Sequence, residues 1–224
     1  MSSYSVTIQM DQTTVNDLQS NGFNLYAFQA VQGASDGYPV VWFQTTTFAL
    51  TTEVTWSEEY QAYTSSSQLI PNGEIVASNS YSASLGQTLN VSNSTGTGTV
   101  VETGTSGAIS INNQTSTQFT CGISEQQPNG TYAPLCAFPL FGNDLDVIAP
   151  IEQVFLMFAT TELNTGTVIE QSYGQGILIN LTGTNSQTVS YDINGGWTWA
   201  GGGNWATTYP ANENLVPLLI QPNS

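Results

Sequence analysis

Glu152-Gln153-Val154-Phe155-Leu156-Met157-Phe158-Ala159-Thr160 contains the longest apolar run of the chain, Val154 to Ala159. That run is the length of one buried strand and well short of the roughly 18 apolar residues needed for a membrane-spanning helix. The same pattern repeats outward from it, in short stretches rich in Val, Ile, Thr, Tyr and Phe separated by Gly, Asn and Pro. Strands are expected at 4–10, 23–31, 38–48, 53–56, 74–78, 107–111, 118–123, 152–160, 166–170, 176–182, 187–193 and 215–220. One helix is expected after Asp11, an N-cap residue, with Val15 and Leu18 on one face and Gly22 as its stop. The expected architecture is all-β: a single antiparallel β-sandwich of about a dozen short strands, with one short helix near the N-terminus. Residues 1–224 read as one domain, with no repeat of fixed period and no dividing linker. The expected core comprises Val6, Ile8, Leu25, Phe28, Val41, Phe43, Phe119, Phe155, Met157, Ile177, Ile179, Leu181, Val189 and Leu219.

Composition restricts the chemistry. The 224 residues include 16 Asp and Glu but no Lys, Arg or His, a formal net charge of −16. At an average usage of about 12% basic residues, a chance chain of this length without any arises with a probability on the order of 10⁻¹². Nucleic acid is excluded as a partner because no side chain neutralises phosphate, and anionic membranes are excluded for the same reason. Ser-His-Asp and Cys-His pairs, Schiff bases and His-containing zinc sites are also excluded. Carboxylate chemistry and oxygen-ligated hard metals survive. Glu58 and Glu59 are neighbours, so in an extended segment they point to opposite faces and cannot themselves form a catalytic pair. The expectation is therefore a protein that is not an enzyme.

Met1-Ser2-Ser3-Tyr4 has neither the charged nor the apolar segment of a secretory signal, which leads to the expectation of a cytoplasmic protein or one exported by a non-classical route. The Asn-x-Ser/Thr sequons at Asn90, Asn93, Asn113, Asn129 and Asn180 are expected by chance in a chain this rich in Ser, Thr and Asn. Cys121 and Cys136 flank the turn sequence Gln127-Pro128-Asn129-Gly130. A hairpin closed there sets the two cysteines opposite each other. Either a cross-strand disulfide or two buried thiols follows, and a reducing compartment favours the thiols.

Three constellations could carry function. Trp197, Trp199, Asn204 and Trp205, in a glycine-rich stretch, offer flat aromatic faces beside an amide, as neutral sugars require; the competing reading is aromatic packing at the end of the sandwich. Asn143, Asp144 and Asp146 offer alternating oxygen ligands, and calcium is the one cofactor they leave room for; otherwise they are solvated turn acids. Residues 82–120 alternate Ser, Thr and Gly with Leu85, Leu89 and Val91 on one arm and Ile109 and Ile111 on the other. The composition is broadly similar to the insertion hairpins of β-barrel pore formers, against the plainer reading of a long surface hairpin.

The leading expectation is a binding module for neutral carbohydrate. The alternatives are a pore-forming or host-directed toxin component that inserts into neutral lipid, and a structural or storage protein that self-assembles, as a homo-oligomer, when acid or divalent cations neutralise it.

Overall fold

The computed structural model describes residues 2–33 and 36–222. It is mostly strand. The N-terminal half runs β1 (Ser3–Gln9), helix α1 (Gln12–Ser20), β2 (Asn24–Gly33), β3 (Tyr38–Pro39), β4 (Phe43–Thr45), β5 (Thr51–Ser65), β6 (Asn79–Ala83), β7 (Thr88–Val91) and β8 (Gly98–Val101). The chain continues through β9 (Ile109–Asn113), β10 (Phe119–Gln126), β11 (Tyr132–Pro134), β12 (Cys136–Leu140) and β13 (Leu145–Ala159). It ends with β14 (Gly176–Asn180), β15 (Ser186–Asp192), β16 (Gly196–Trp199), β17 (Ala206–Tyr209), helix α2 (Val216–Leu219) and β18 (Ile220–Pro222).

These strands form two sheets. The first has the order β16-β15-β1-β5-β10-β12-β3, with β6 added to β5 and β11 to β10. The second has the order β17-β14-β13-β9-β7-β8, with β2 also paired to β13 and flanked by β4 and β18. The all-β class is as expected, and several details differ: in place of the strands expected at 74–78 and 166–170 the described residues have only the isolated bridges Glu74–Thr167 and Val40–Val168. The described residues contain 18 strands rather than about a dozen. The pairings β1–β15, β7–β9 and β2–β18 are parallel, so the sheets are mixed. A second helix occupies 216–219, where a strand was expected, because Val216-Pro217 begins a helical turn in which the missing proline N–H has no consequence.

The core explains why the opening stretch is continuously apolar. Val154, Leu156 and Phe158 of β13 join Val6, Ile8, Val54 and Val189 of the first sheet in the main cluster. Their neighbours Phe155, Met157 and Ala159 point the other way, into a second cluster with Tyr26, Phe28, Leu215 and Leu219. Strand β13 is thus covered on both faces, so neither side of its alternation is polar. Every expected core residue is buried except Phe43, which packs half-buried at the margin. Helix α1 begins as the sequence implies, with Asp11 accepting a 2.7 Å bond from the Thr14 N–H. It closes in a Schellman motif in which Phe23 N–H donates to Leu18 O and Gly22, at φ +70°, donates to Gln19 O.

Strands β5 and β13, 15 residues each, both break register midway. In β5, Tyr60 faces Glu125 but Ser57 faces Gln126, so Glu58 and Glu59 are extra residues. In β13, Ile151 faces Ala30 but Val154 faces Gln29, so Glu152 and Gln153 are extra. Each strand changes partner there: β5 passes from β1 to β6, and β13 from β9 to β14. Such bulges re-aim side chains out of the regular alternation.

Candidate functional site

The tryptophan segment is divided between packing and surface. Trp197 lies in the main core, its ring against Phe158 at 5.6 Å and Tyr191 at 4.7 Å, with Nε1 donating to Gln175 O. Its faces are therefore occupied by protein. Trp199 and Trp205 do meet, with ring centroids 6.0 Å apart, and Trp199 Nε1 donates to Gly203 O across the glycine bend. Asn204 is exposed beside them. Trp197 and Trp199 share one face of β16 as expected, but that face is turned to the main core, where Trp197 is buried and Trp199 packs half-buried at the margin.

The three residues expected as calcium ligands sit in different surroundings. Asp146 is buried and accepts from Cys121 Sγ at 3.4 Å, whereas Asn143 is exposed in a turn at φ 56° and Asp144 accepts from its neighbour Leu145 N–H. Among the described residues no group of three His, Cys, Asp or Glu side chains is placed to hold a metal ion.

Residues 82–120 do not form one hairpin. Strand β7 turns back as β8, and β9 then returns parallel to β7, pairing Leu89 with Ile111. Leu89, Val91, Ile109 and Ile111 are fully buried in the main core, while Leu85 is 41% exposed. The alternation is that of a half-buried sheet whose apolar side meets protein.

Cys121 and Cys136 are both buried free thiols. Facing residues across the turn are Ser124 with Pro134, then Cys121 with Phe138, a register displaced from the symmetric hairpin. Cys121 thus faces Phe138 and not Cys136, so the two cysteines are not set directly opposite each other. Burial raises the Cys121 thiol well above its usual range, reinforced by the Asp146 charge, and pushes Cys136 up to about 12.

The two register breaks assemble a site of a different kind. A cavity of about 140 Å³ opens between the sheets, walled by Tyr4, Trp56 and Tyr60 from the first and by Gln29, Pro150 and Glu152 from the second. Tyr4 and Trp56 face each other across β1 and β5 and stack at 5.7 Å. The Tyr4 hydroxyl lies 3.1 Å from Glu58 Oε1 and 2.9 Å from Glu152 Oε1, so one proton is shared between carboxylates from opposite sheets. Glu58 also accepts from Ser2 N–H at 3.2 Å. Burial, then these two carboxylates, raises the Tyr4 hydroxyl pKa far above its ordinary value.

Deeper in the same cavity sits Glu125, only 2% exposed. The Tyr60 hydroxyl lies beside its carboxyl, and Oε2 has no hydrogen-bond partner. Burial raises its pKa well above the carboxylate range, the Tyr60 bond opposes this, and the Glu58 charge adds to the rise. Burial therefore favours the neutral form of the Glu125 carboxyl over its anion. The second unpartnered buried atom among the described residues is Gln29 Nε2, whose side chain is 4% exposed and lines the same cavity. An adjoining cleft of about 600 Å³ shares Glu58, Tyr60 and Leu85 and adds Ser84, Gln87 and Tyr132.

A larger groove, about 690 Å³, runs past Asp36, Glu170 and Asn214, but neither unpartnered buried atom lies on it. Comparison of the chain with protein-family models, with curated proteins and with solved structures finds no match.

Proposed function

We propose that the protein binds a neutral, hydroxyl-rich ligand, a carbohydrate, in the inter-sheet cavity, with the two sheets acting as one sandwich that frames it. The observation that carries this reading is the pair of unpartnered atoms, Gln29 Nε2 and Glu125 Oε2, on one small cavity. Leaving such a group unpaired costs about 1–3 kcal/mol, which a ligand group of the right polarity recovers. Gln29 Nε2 can only donate, and protonated Glu125 offers both a donor and an acceptor. A hydroxyl group does both and satisfies both sites, whereas an ammonium group, which only donates, leaves Gln29 unpaired. The Tyr4–Trp56 stack supplies the apolar wall that a sugar face requires, and Glu58 and Glu152 accept further hydroxyls. One sugar unit in the cavity continues into the cleft past Ser84 and Gln87. This keeps the ligand class expected from the sequence and moves the site from Trp197 to Trp56.

Calorimetric titration with a panel of neutral mono- and oligosaccharides tests the proposal. Saturable binding is expected, weakened at least tenfold by Trp56→Ala. A flat heat signature across the panel at pH 5 and pH 7 defeats it.

A further inference from the structure

A cavity that holds sugar hydroxyls against a buried carboxylic acid also brings a proton within reach of a glycosidic oxygen. We infer that this site hydrolyses a glycosidic bond, with Glu125 as the proton donor and Glu58 as the carboxylate that activates water; the inference rests on the carbohydrate reading of the cavity. Two-carboxylate hydrolysis needs two acids in contrasting surroundings, one kept neutral by an apolar enclosure and one solvated and hydrogen-bonded as an anion. Glu125 fills the first role: it is 2% exposed, lines the cavity beside Tyr60, and has an Oε2 without a hydrogen-bond partner. Glu58 fills the second, half-buried at the junction of cavity and cleft and receiving bonds from the Tyr4 hydroxyl and Ser2 N–H. Glu58 and Glu125 line the same cavity. The register break in β5 creates this pairing, since without its two extra residues Gln126 would face Glu59.

The step balances without a cofactor. Glu125 gives its proton to the bridging oxygen, and the bond from that oxygen to the anomeric carbon breaks with the electron pair leaving on oxygen. A water oxygen bonds to the anomeric carbon and passes a proton to Glu58. Proton exchange with solvent then restores both carboxyls. Gln29 and Tyr4 hold ring hydroxyls, and the leaving portion lies in the cleft beside Ser84 and Tyr132.

The test uses the full chain with p-nitrophenyl α- and β-pyranosides of the common neutral hexoses, xylose and N-acetylglucosamine, following nitrophenol release from pH 4 to pH 8. Release above the uncatalysed rate is expected, with kcat/KM falling as pH rises and Glu125 loses its proton. Glu125→Gln, nearly isosteric with the neutral acid, is expected to lower kcat by 10²- to 10⁴-fold. Tyr60→Phe removes the bond that opposes the raised Glu125 pKa and should move the alkaline limb of the profile to higher pH, a shift that a purely structural role for Tyr60 would not produce. Sugar binding by calorimetry with no release from any pyranoside overturns the hydrolytic inference and leaves the binding site standing. Neither binding nor release overturns both.

Discussion

Glu125 has moved into the protein without a cation to follow it, and this has a measurable consequence for stability. Its folded-state pKa is raised, so the acid is accommodated without penalty below the unfolded value near 4.3, and stability is lost as pH climbs toward the folded value. Glu125→Gln removes this dependence. The stability difference between pH 5 and pH 8, measured by urea unfolding, should be smaller in the variant than in the wild type; parallel curves would show that Glu125 is not held neutral. Tyr4→Phe acts on the neighbouring pair by deleting the shared proton between Glu58 and Glu152. With both carboxylates near solvent, a loss of about 1–2 kcal/mol at pH 7 is expected from the same unfolding measurement. None of this cluster was legible in the sequence. Period-two reasoning sends Glu58 and Glu59 to opposite faces, and it has no means of announcing that these two residues are themselves a register break or that Tyr4 meets a glutamate 148 residues away.

At the scale of elements, legibility followed the range of the interactions that fix each one. Helix α1 is set by neighbours in sequence, Asp11 capping Thr14 and Gly22 taking a positive φ, and both were readable from residue types. Gly22→Ala adds a Cβ that meets nothing within 4 Å, so its cost is backbone strain alone, about 1 kcal/mol. An equal loss in Gly22→Asn, a residue that tolerates this conformation better, would argue against that account. Strands β6, β7 and β8 were harder to read because Ser, Thr, Asn and Gly dominate them and their identity comes from pairing. The same difficulty led to the hairpin reading of residues 82–120, whose aliphatic side chains turn out to fill the core. Leu89→Ala should therefore cost about 2–5 kcal/mol in solution, as a buried leucine does, whereas Leu85→Ala should be nearly neutral. Chemical unfolding of the two variants separates core packing from a segment held in reserve on the surface.

Across the whole molecule, 16 acidic side chains face no basic one, so every long-range electrostatic term between charged side chains is repulsive. Two sheets, mostly strand and cross-linked by their ladders, must hold the chain with the core and its hydrogen bonds alone. Repulsion is greatest when all carboxylates are ionised and salt is low, since the screening length falls from about 30 Å at 0.01 M to about 8 Å at 0.15 M. Two trends follow together. The melting temperature should rise with added sodium chloride at pH 7, because screening weakens the repulsion and there are no attractive side-chain ion pairs for it to weaken in compensation. It should also rise as pH is lowered from 8 toward 5, because mutual repulsion favours proton uptake more in the compact state than in the expanded one, so the folded state binds protons first. Asp11 opposes this trend locally: its carboxylate is stabilised by the helix N-terminus, its pKa is lowered, and that contribution is lost as pH falls through the folded value. Asp11 is fully exposed, so its effect is small beside the sum of the other fifteen acids. Calorimetric scans over a salt series and a pH series check both trends. A melting temperature that fell with salt, or fell steadily from pH 8 to pH 5, would mean that attractive electrostatics from a source other than side-chain cations hold the fold together.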